Sequence, residues 1–471
     1  MKSAKDFMRC DKDILITGIT DDSRLVKPGY IFVATKGYNV DHYDFIDDAI
    51  ENGCSLVIAD RKLEKKFPHL IVENINDYYI ELCKNYYDVE LEKFRFIGIT
   101  GTDGKTTTTT IVREVIGDCA YIGTNGLEVS GKEYPVNNTT PCIEELYKTL
   151  HIIDNYKCKN VSMEVSSEAL LHDRVKGISF DIIGITNITG DHIEVHGSFE
   201  NYVKCKLRIL ECVKNNGYVV INGDDDNLRN INCNNLYKFG FNKDNDCVIE
   251  NVKYSNNSTV INIKFLNKEI EIVSPLLGKY NVYNVTMAFL IGYFFGIDES
   301  LLLERIKNIK SIKGRCEFLD FGQNYDIVLD YAHTINGVKS ILETFKSYDN
   351  VIVVSGSAGG RDKEKRKIIG KTIIENSDVT IFTMDDPRFE DVDEIIDQMA
   401  GDFKDYYRIK DREDAIKYAL SIAKKGSVVL ILGKGRDNYM AIGDKKIHYS
   451  DYEVISNYFS KWLCHFFFCL T

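Results

Sequence analysis

Proline is scarce. There are 6 in 471 residues, beside 33 glycines, which excludes collagen-like and proline-rich linker classes. No two of the 13 cysteines stand in C-x-x-C spacing, and they are scattered from Cys10 to Cys469. A disulfide scaffold or a zinc ribbon is therefore not expected, and the thiols read as free and buried in a reducing compartment. No apolar run near either end approaches the roughly 20 residues of a spanning helix. The longest, 462–470, is interrupted by His465. The first residues have no apolar core of signal-peptide length, so the expectation is a cytoplasmic chain with no membrane span. Positive charge is in deficit, 59 Lys and Arg against 71 Asp and Glu, for a net −12. Such a surface repels a polyphosphate backbone and argues against a nucleic-acid partner. It leaves room for a small anionic ligand held by a few placed cations.

Residues that are 44% hydrophobic and 28% charged describe an ordinary globular chain, and its length suggests about three domains. Over the first 90 residues, strand-like runs at 15–18, 30–34 and 56–59, with a helix at 45–52, read as a small α/β unit. A buried strand at 94–100, a glycine-rich turn and a helix at 106–116 open a doubly wound sheet. Further strands are expected at 161–165, 182–186 and 218–222. Residues 236–272 alternate apolar and polar and read as an antiparallel insertion, followed by an apolar helix at 278–297. From about 326 the α/β rhythm restarts, with strands at 327–330, 351–355, 379–384 and 428–432 and helices at 340–346, 391–403 and 412–424. The expected fold class is α/β in three modules, 1–93, 94–320 on a parallel sheet, and 321–471.

The strongest local signal is Gly98-Ile-Thr-Gly-Thr-Asp-Gly-Lys-Thr-Thr107. A glycine-rich turn between strand and helix lets backbone N–H groups approach a triphosphate. Lys105 would neutralise the β/γ-phosphates and Thr106 would offer a hydroxyl to Mg²⁺. The full G-x-x-x-x-G-K-[ST] pattern is not met, because position 99 is Ile. Glu164 closes a second strand and Thr186…His192 a third, at the sheet edge where ligands of open α/β folds collect. Glu164, His192 and Thr106 would supply ligands to Mg²⁺, although His is an unusual ligand for that ion. Lys204 and Lys206 read, by pattern alone, as exposed helix charges.

Taken together and in order, the motifs resemble those of the Mur ligases, most closely the branch that adds the third amino acid to a UDP-N-acetylmuramoyl dipeptide. They are Asp22-Ser-Arg24, Gly101-Thr-Asp-Gly-Lys-Thr106, Asn138-Thr-Thr-Pro141, Glu164-Val-Ser-Ser167, Asp191-His192, Tyr202…Lys206, Gly278…Asn281…Asn284, Gly314-Arg-Cys-Glu317, Asp330-Tyr-Ala-His333, Gly359-Gly-Arg-Asp-Lys363, Asp385-Asp-Pro-Arg388 and Gly433-Lys-Gly435. The resemblance implies a uridine-nucleotide module over 1–93, a central ATP-binding module over 94–320 and a C-terminal Rossmann-like module over 321–471 that chooses the amino acid. It also implies a reaction in which the muropeptide carboxylate takes the γ-phosphate of ATP and the acyl phosphate is attacked by an amine. Lys105, Glu164, His192 and Lys206 would be the catalytic set. Thr106, Glu164, His192 and a carbamylated Lys206 would hold Mg²⁺, overturning the exposed reading of Lys206.

By the same resemblance Gly101, Thr102, Asp103, Gly104, Thr107, Asn281, Arg315 and Asp330 would bind ATP. Ser23, Tyr38, Asn39, Val40, Asn138, Thr139, Thr140, Ser166, His172 and Arg174 would face the UDP-muramoyl dipeptide. Arg361, Asp385, Asp386, Pro387, Arg388, Gly433 and Asp437 would form the amino-acid pocket. An Arg at 388 is suited to the distal carboxylate of meso-diaminopimelate and would repel the side-chain ammonium of lysine. The expected partners are therefore small molecules (UDP-MurNAc-dipeptide, a diamino acid, ATP) bound by a monomer.

The departures from the family pattern fall on the substrate side: Asp386 for Asn, Arg436-Asp437 for His-Glu, Ile335-Asn336 after the His-Thr pair, Glu168 for His, and His172 for Gln. They keep open a specialised paralogue acting on another substrate. A folylpolyglutamate-synthetase-like ligase and a non-catalytic nucleotide-binding scaffold are the other readings.

Overall fold

The computed structural model describes residues 1–9, 13–36, 41–64, 66–190, 193–255 and 258–468. Tyr38, Asn39, Val40 and His192 lie outside them. Three large sheets follow one another along the chain. The first has four parallel strands in sequence order, Gly18–Thr20, Tyr30–Val33, Leu56–Ala59 and His69–Ile71. Its apolar face shares one continuous core with the second sheet, through the helix Ile75–Tyr86 packed on Ile143–Asn155.

The second sheet has eleven strands. At its centre Arg95–Thr100 lies between two parallel neighbours, Asn160–Glu164 and Phe180–Ile185. They are buried over most of their length, which is why 96–99 and 182–185 read as apolar runs. The helix Lys279–Phe295 packs on Lys105–Ile116 and is apolar nearly all round, as an enclosed helix must be.

Residues 236–272 are not a separate antiparallel insertion. Leu236–Gly240 pairs parallel to Val213–Asn222, and Cys247–Tyr254 starts parallel to it. Only Thr259–Phe265 and Lys268–Ser274 add antiparallel strands, as extensions of the same sheet. Their half-exposed faces produce the alternation, whereas Leu236–Gly240 is too short to show a period.

The third sheet runs Glu317–Phe318, Asp326–Asp330, Ser427–Leu432, Asn350–Ser355, Val379–Phe382 and Tyr407–Arg408, parallel except for the first. The closing helix Asp451–Phe468 is pinned at its start by Asp451, which pairs with the fully buried Arg412 at 2.7 Å. Phe459, at the head of the aromatic tail, stacks on Phe321 at 5.4 Å. Among the described residues no helix is long and apolar enough to cross a membrane.

Candidate active site

The carboxyl ends of the three central strands of the second sheet meet at one point. The turn after Thr100 demands glycine: Gly101 has φ +146, and a Cβ there would stand 1.9 Å from the Thr186 hydroxyl. Gly104, at φ 84, leads into the helix Lys105–Ile116. The first N–H groups of that helix have no partner within it and carry the positive end of its dipole, a phosphate cradle. Thr186 Oγ1 donates to Asp103 O at 2.6 Å and Asn187 Oδ1 accepts from Asp103 N at 2.9 Å, so the neighbouring strand end shapes the loop. Lys105 Nζ donates to Gly101 O and Thr102 O, each at 2.9 Å.

Glu164 is 0% exposed. A buried carboxylate needs donors, and it has them: Tyr121 hydroxyl at 2.6 Å, Thr124 N at 2.9 Å and Thr106 Oγ1 at 3.0 Å. Thr106 Oγ1 in turn accepts from Arg315 Nη2 at 3.0 Å. Lys206 is buried rather than exposed. Its Nζ donates to Gly101 O at 2.6 Å and lies 4.8 Å from the Tyr202 ring. The Tyr202 hydroxyl meets Thr102 Oγ1 at 3.0 Å. The donor set around Thr106 and Glu164, a hydroxyl and a carboxylate, suits Mg²⁺, which takes few protein oxygens and keeps waters and phosphate oxygens. No group of three His, Cys, Asp or Glu suited to a metal occurs among the described residues.

A cleft of about 1580 Å³ runs from this point between the second and third sheets. Thr102 through Thr107, Glu164, Arg315 and Asp330 line it. Asn281 does not, but it is buried and accepts from Asn284 Nδ2 at 3.0 Å, and Asn284 is in the lining. Burial raises the Asp330 carboxyl, and Arg315 opposes this together with N–H donation from Cys316 and Ala332. Arg315 crosses the cleft to the phosphate loop at Thr106, and Thr334 Oγ1 does so at Asp103 Oδ1, 3.1 Å away.

Of the residues expected to face the UDP-muramoyl dipeptide, Asn138, Thr139, Ser166 and Arg174 line the cleft. Thr140 is the staple beneath them. Its hydroxyl donates to Glu164 O and accepts from Ser166 N, both at 2.9 Å, and its carbonyl accepts from Arg174 at 3.2 Å. His172 lies outside the lining, and burial, aided by Arg174, lowers its pKa. Ser23 sits in the first module, buried, with its carbonyl accepting from Asn52, away from the cleft lining.

Of the expected amino-acid set, Arg361 and Asp437 line the cleft; Asp385, Asp386, Pro387, Arg388 and Gly433 are outside the lining. Sequence reasoning passed over Lys434, which is 1% exposed and lies at the hub: Asp386 at 2.8 Å, Asp437 at 3.7 Å and Asp385 at 3.9 Å. Asp386 Oδ1 also accepts from Ala441 N at 2.9 Å, so the extra acid is neutralised internally. Arg436, the other departure, forks onto Glu317 at 2.8 and 2.5 Å and stacks 3.6 Å from the Tyr452 ring. Also missed were Tyr121, Thr124 and Thr334, partners that only folding brings to the site.

Known proteins agree over the length of the chain. Three family models match: "Mur ligase family, catalytic domain" at 15–87, "Mur ligase middle domain" at 99–292 and "Mur ligase, glutamate ligase domain" at 314–435. A relative from Fusobacterium nucleatum, named UDP-N-acetylmuramoyl-L-alanyl-D-glutamate–2,6-diaminopimelate ligase, is 36% identical and aligns over 93% of this chain and 92% of its own. One of the same name from Geobacillus thermodenitrificans is 34% identical over 93% and 94%. A solved structure of a ligase of that name superposes with TM-score 0.64 at 26% identity, covering 98% and 99%. The MurF ligase of Thermotoga maritima, solved with ADP, shares the fold at TM-score 0.63 and 22% identity, over 89% and 95%. The protein belongs to the Mur ligase family, the ATP-dependent amide ligases of peptidoglycan precursor synthesis.

Proposed function

We propose that this protein joins meso-diaminopimelate to UDP-MurNAc-L-Ala-D-Glu through an acyl phosphate, with ATP and Mg²⁺, in the cytoplasm. The division of labour is uridine binding in 1–93, phosphoryl transfer in 94–320 and amino-acid choice in 321–471. The observation that carries the reading is the convergence of the phosphate loop, Glu164 and Lys206 at one end of a cleft whose other wall presents Arg361 and Asp437.

A carboxylate is a poor electrophile because its leaving group would be oxide; phosphorylation supplies a better one. Lys105 and the helix N-terminus would hold the β/γ-phosphates, and Arg315 would follow the charge as it moves. Mg²⁺, held by Thr106, Glu164, His192 and a carbamate on Lys206, would screen the repulsion between γ-phosphate and carboxylate. Asn138, Thr139, Ser166 and Arg174 would orient the muropeptide carboxylate, while Asp437 would take the incoming ammonium. Thr334 and Arg315, which already touch the loop from across the cleft, would report closure of the third module over ATP.

The test is phosphate release with UDP-MurNAc-L-Ala-D-Glu and either diaminopimelate, lysine or no amino acid. Release dependent on diaminopimelate is expected. Release with lysine alone would overturn the specificity, and none with either would leave a paralogue or scaffold.

Asp437 adds a pH signature. Burial lifts its carboxyl to about 6; Lys434 opposes this, while Asp385 and Asp386 add to it. The charged form binds the ammonium, so affinity is full above that value and lost as pH falls through it. The kcat/KM for the amino acid is expected to drop roughly tenfold per pH unit below about 6, with the KM for ATP following a different profile. A flat amino-acid profile from pH 7 to 5 would remove Asp437 from the pocket.

A further inference from the structure

We infer that Arg366 and Glu390 are a positioning pair: a buried clamp that ties the loop carrying Arg361 to the loop carrying Arg388 and so sets the spacing of the two arginines. This rests on the amino-acid pocket proposed above, but on two residues that reading does not use. Neither lines the cleft.

Arg366 projects from the helix Glu364–Glu375 and is 0% exposed. Its Nη1 donates to Glu390 Oε2 at 2.7 Å and to Gln398 Oε1 at 2.6 Å. Its Nη2 donates to Glu390 Oε1 at 3.2 Å and to Ala358 O at 2.9 Å. Glu390 Oε1 also accepts from Gly360 N at 2.5 Å, and Lys363 approaches Oε2 at 3.4 Å. One guanidinium–carboxylate unit thus grips the backbone on both sides of Gly359, immediately before Arg361. Glu390 N donates to Pro387 O at 3.0 Å, closing a turn around Arg388.

The two loops also touch directly. Gly359 N donates to Asp386 O at 3.0 Å, and a Cβ on Gly359 would stand 1.9 Å from Pro387 O. A buried ion pair is a weak device for stability alone, since well-packed apolar side chains do as well or better. Three of the pair's hydrogen bonds reach the backbone of these loops, at Ala358 O, Gly360 N and Pro387 O, as a clamp requires. Arg366 pulls the Glu390 carboxyl down to about 2, so the pair stays charged throughout the working pH range.

The test is Glu390→Gln, which keeps the shape and removes the charge and one acceptor. The KM for diaminopimelate is expected to rise at least tenfold, while the KM values for ATP and the UDP-muramoyl dipeptide stay within twofold. Preference for diaminopimelate over lysine should fall. Arg366→Lys, which retains charge but not the fork, should lie between wild type and Arg366→Met. Backbone amide exchange at 358–361 and 386–390 should quicken in Glu390→Gln while 101–106 stays unchanged, a readout that does not depend on turnover. Unchanged exchange in those loops, or three KM values that shift together, overturns the clamp. Wild-type enzyme that ignores diaminopimelate, with loop exchange still quickened in the variant, overturns the pocket's substrate and leaves the clamp standing.

Discussion

Lys206→Ala is expected to lower turnover by about a thousandfold or more, with partial recovery on adding formate or acetate. The scale follows from losing several kcal/mol of transition-state charge stabilisation, at about 1.4 kcal/mol per tenfold. The structural premise is that Lys206 is 1% exposed, held on Gly101 O at 2.6 Å, and packed under the loop that would carry the phosphates. An ammonium there cannot ligate Mg²⁺, but a carbamate at the same nitrogen is an anionic oxygen donor. A short carboxylate diffusing into the space left by Ala would replace that oxygen, which it could not do if the lysine merely filled volume or bound phosphate as a cation. Lys206→Arg should not rescue, because guanidinium does not take up CO₂. Label from isotopic bicarbonate should appear on wild-type enzyme and vanish in both variants. Activity of Lys206→Ala within tenfold of wild type, or a defect indifferent to carboxylates, would overturn the carbamate.

The same lysine shows where sequence reading stops. On a helix at 199–207 its spacing matches any solvated charge, and only the ordered motifs around it pointed inward. Glu164 and Thr106 were more legible, because each sits at the end of a buried strand or the start of the helix after it, a position that open α/β sheets reserve for ligands. Their partners were not. Arg315 reaches Thr106 from 209 positions away, and Tyr121 and Thr124 reach Glu164 from a neighbouring strand end. Lys434 is hidden in another way: nothing in its two flanking glycines marks it as buried, and only folding brings three carboxylates around it. For the fold, strands buried on both faces announced themselves as apolar runs. Residues 236–272 misled because their last two strands expose one face, and that alternation hid the parallel pairing that precedes them.

Arg388→Ala is expected to cut kcat/KM for meso-diaminopimelate by about a hundredfold and to raise the relative use of lysine. Losing a bidentate guanidinium–carboxylate pair costs about 2–4 kcal/mol, which the tenfold-per-1.4 kcal/mol scale converts to that range. The backbone is built to present this side chain. Arg388 takes φ 52, held by its N–H on Ala441 O at 3.0 Å and by Gly443 N on its own carbonyl at 2.7 Å. Among the described residues its guanidinium makes no ion pair, while the acids beside it, Asp385 and Asp386, are turned to Lys434. In the proposed pocket Arg388 would offer a distal carboxylate a cation whose neighbouring acids are already paired with Lys434, and would repel a distal ammonium. Removing Arg388 removes both effects, so the change should appear chiefly as a collapse of the diaminopimelate-to-lysine ratio, with the KM for ATP unmoved. Arg388→Lys should behave nearly as badly as Ala, since a point charge lacks the planar fork. If the ratio survives in Arg388→Ala, the distal group is read elsewhere, and Arg361 on the adjoining loop becomes the residue to change.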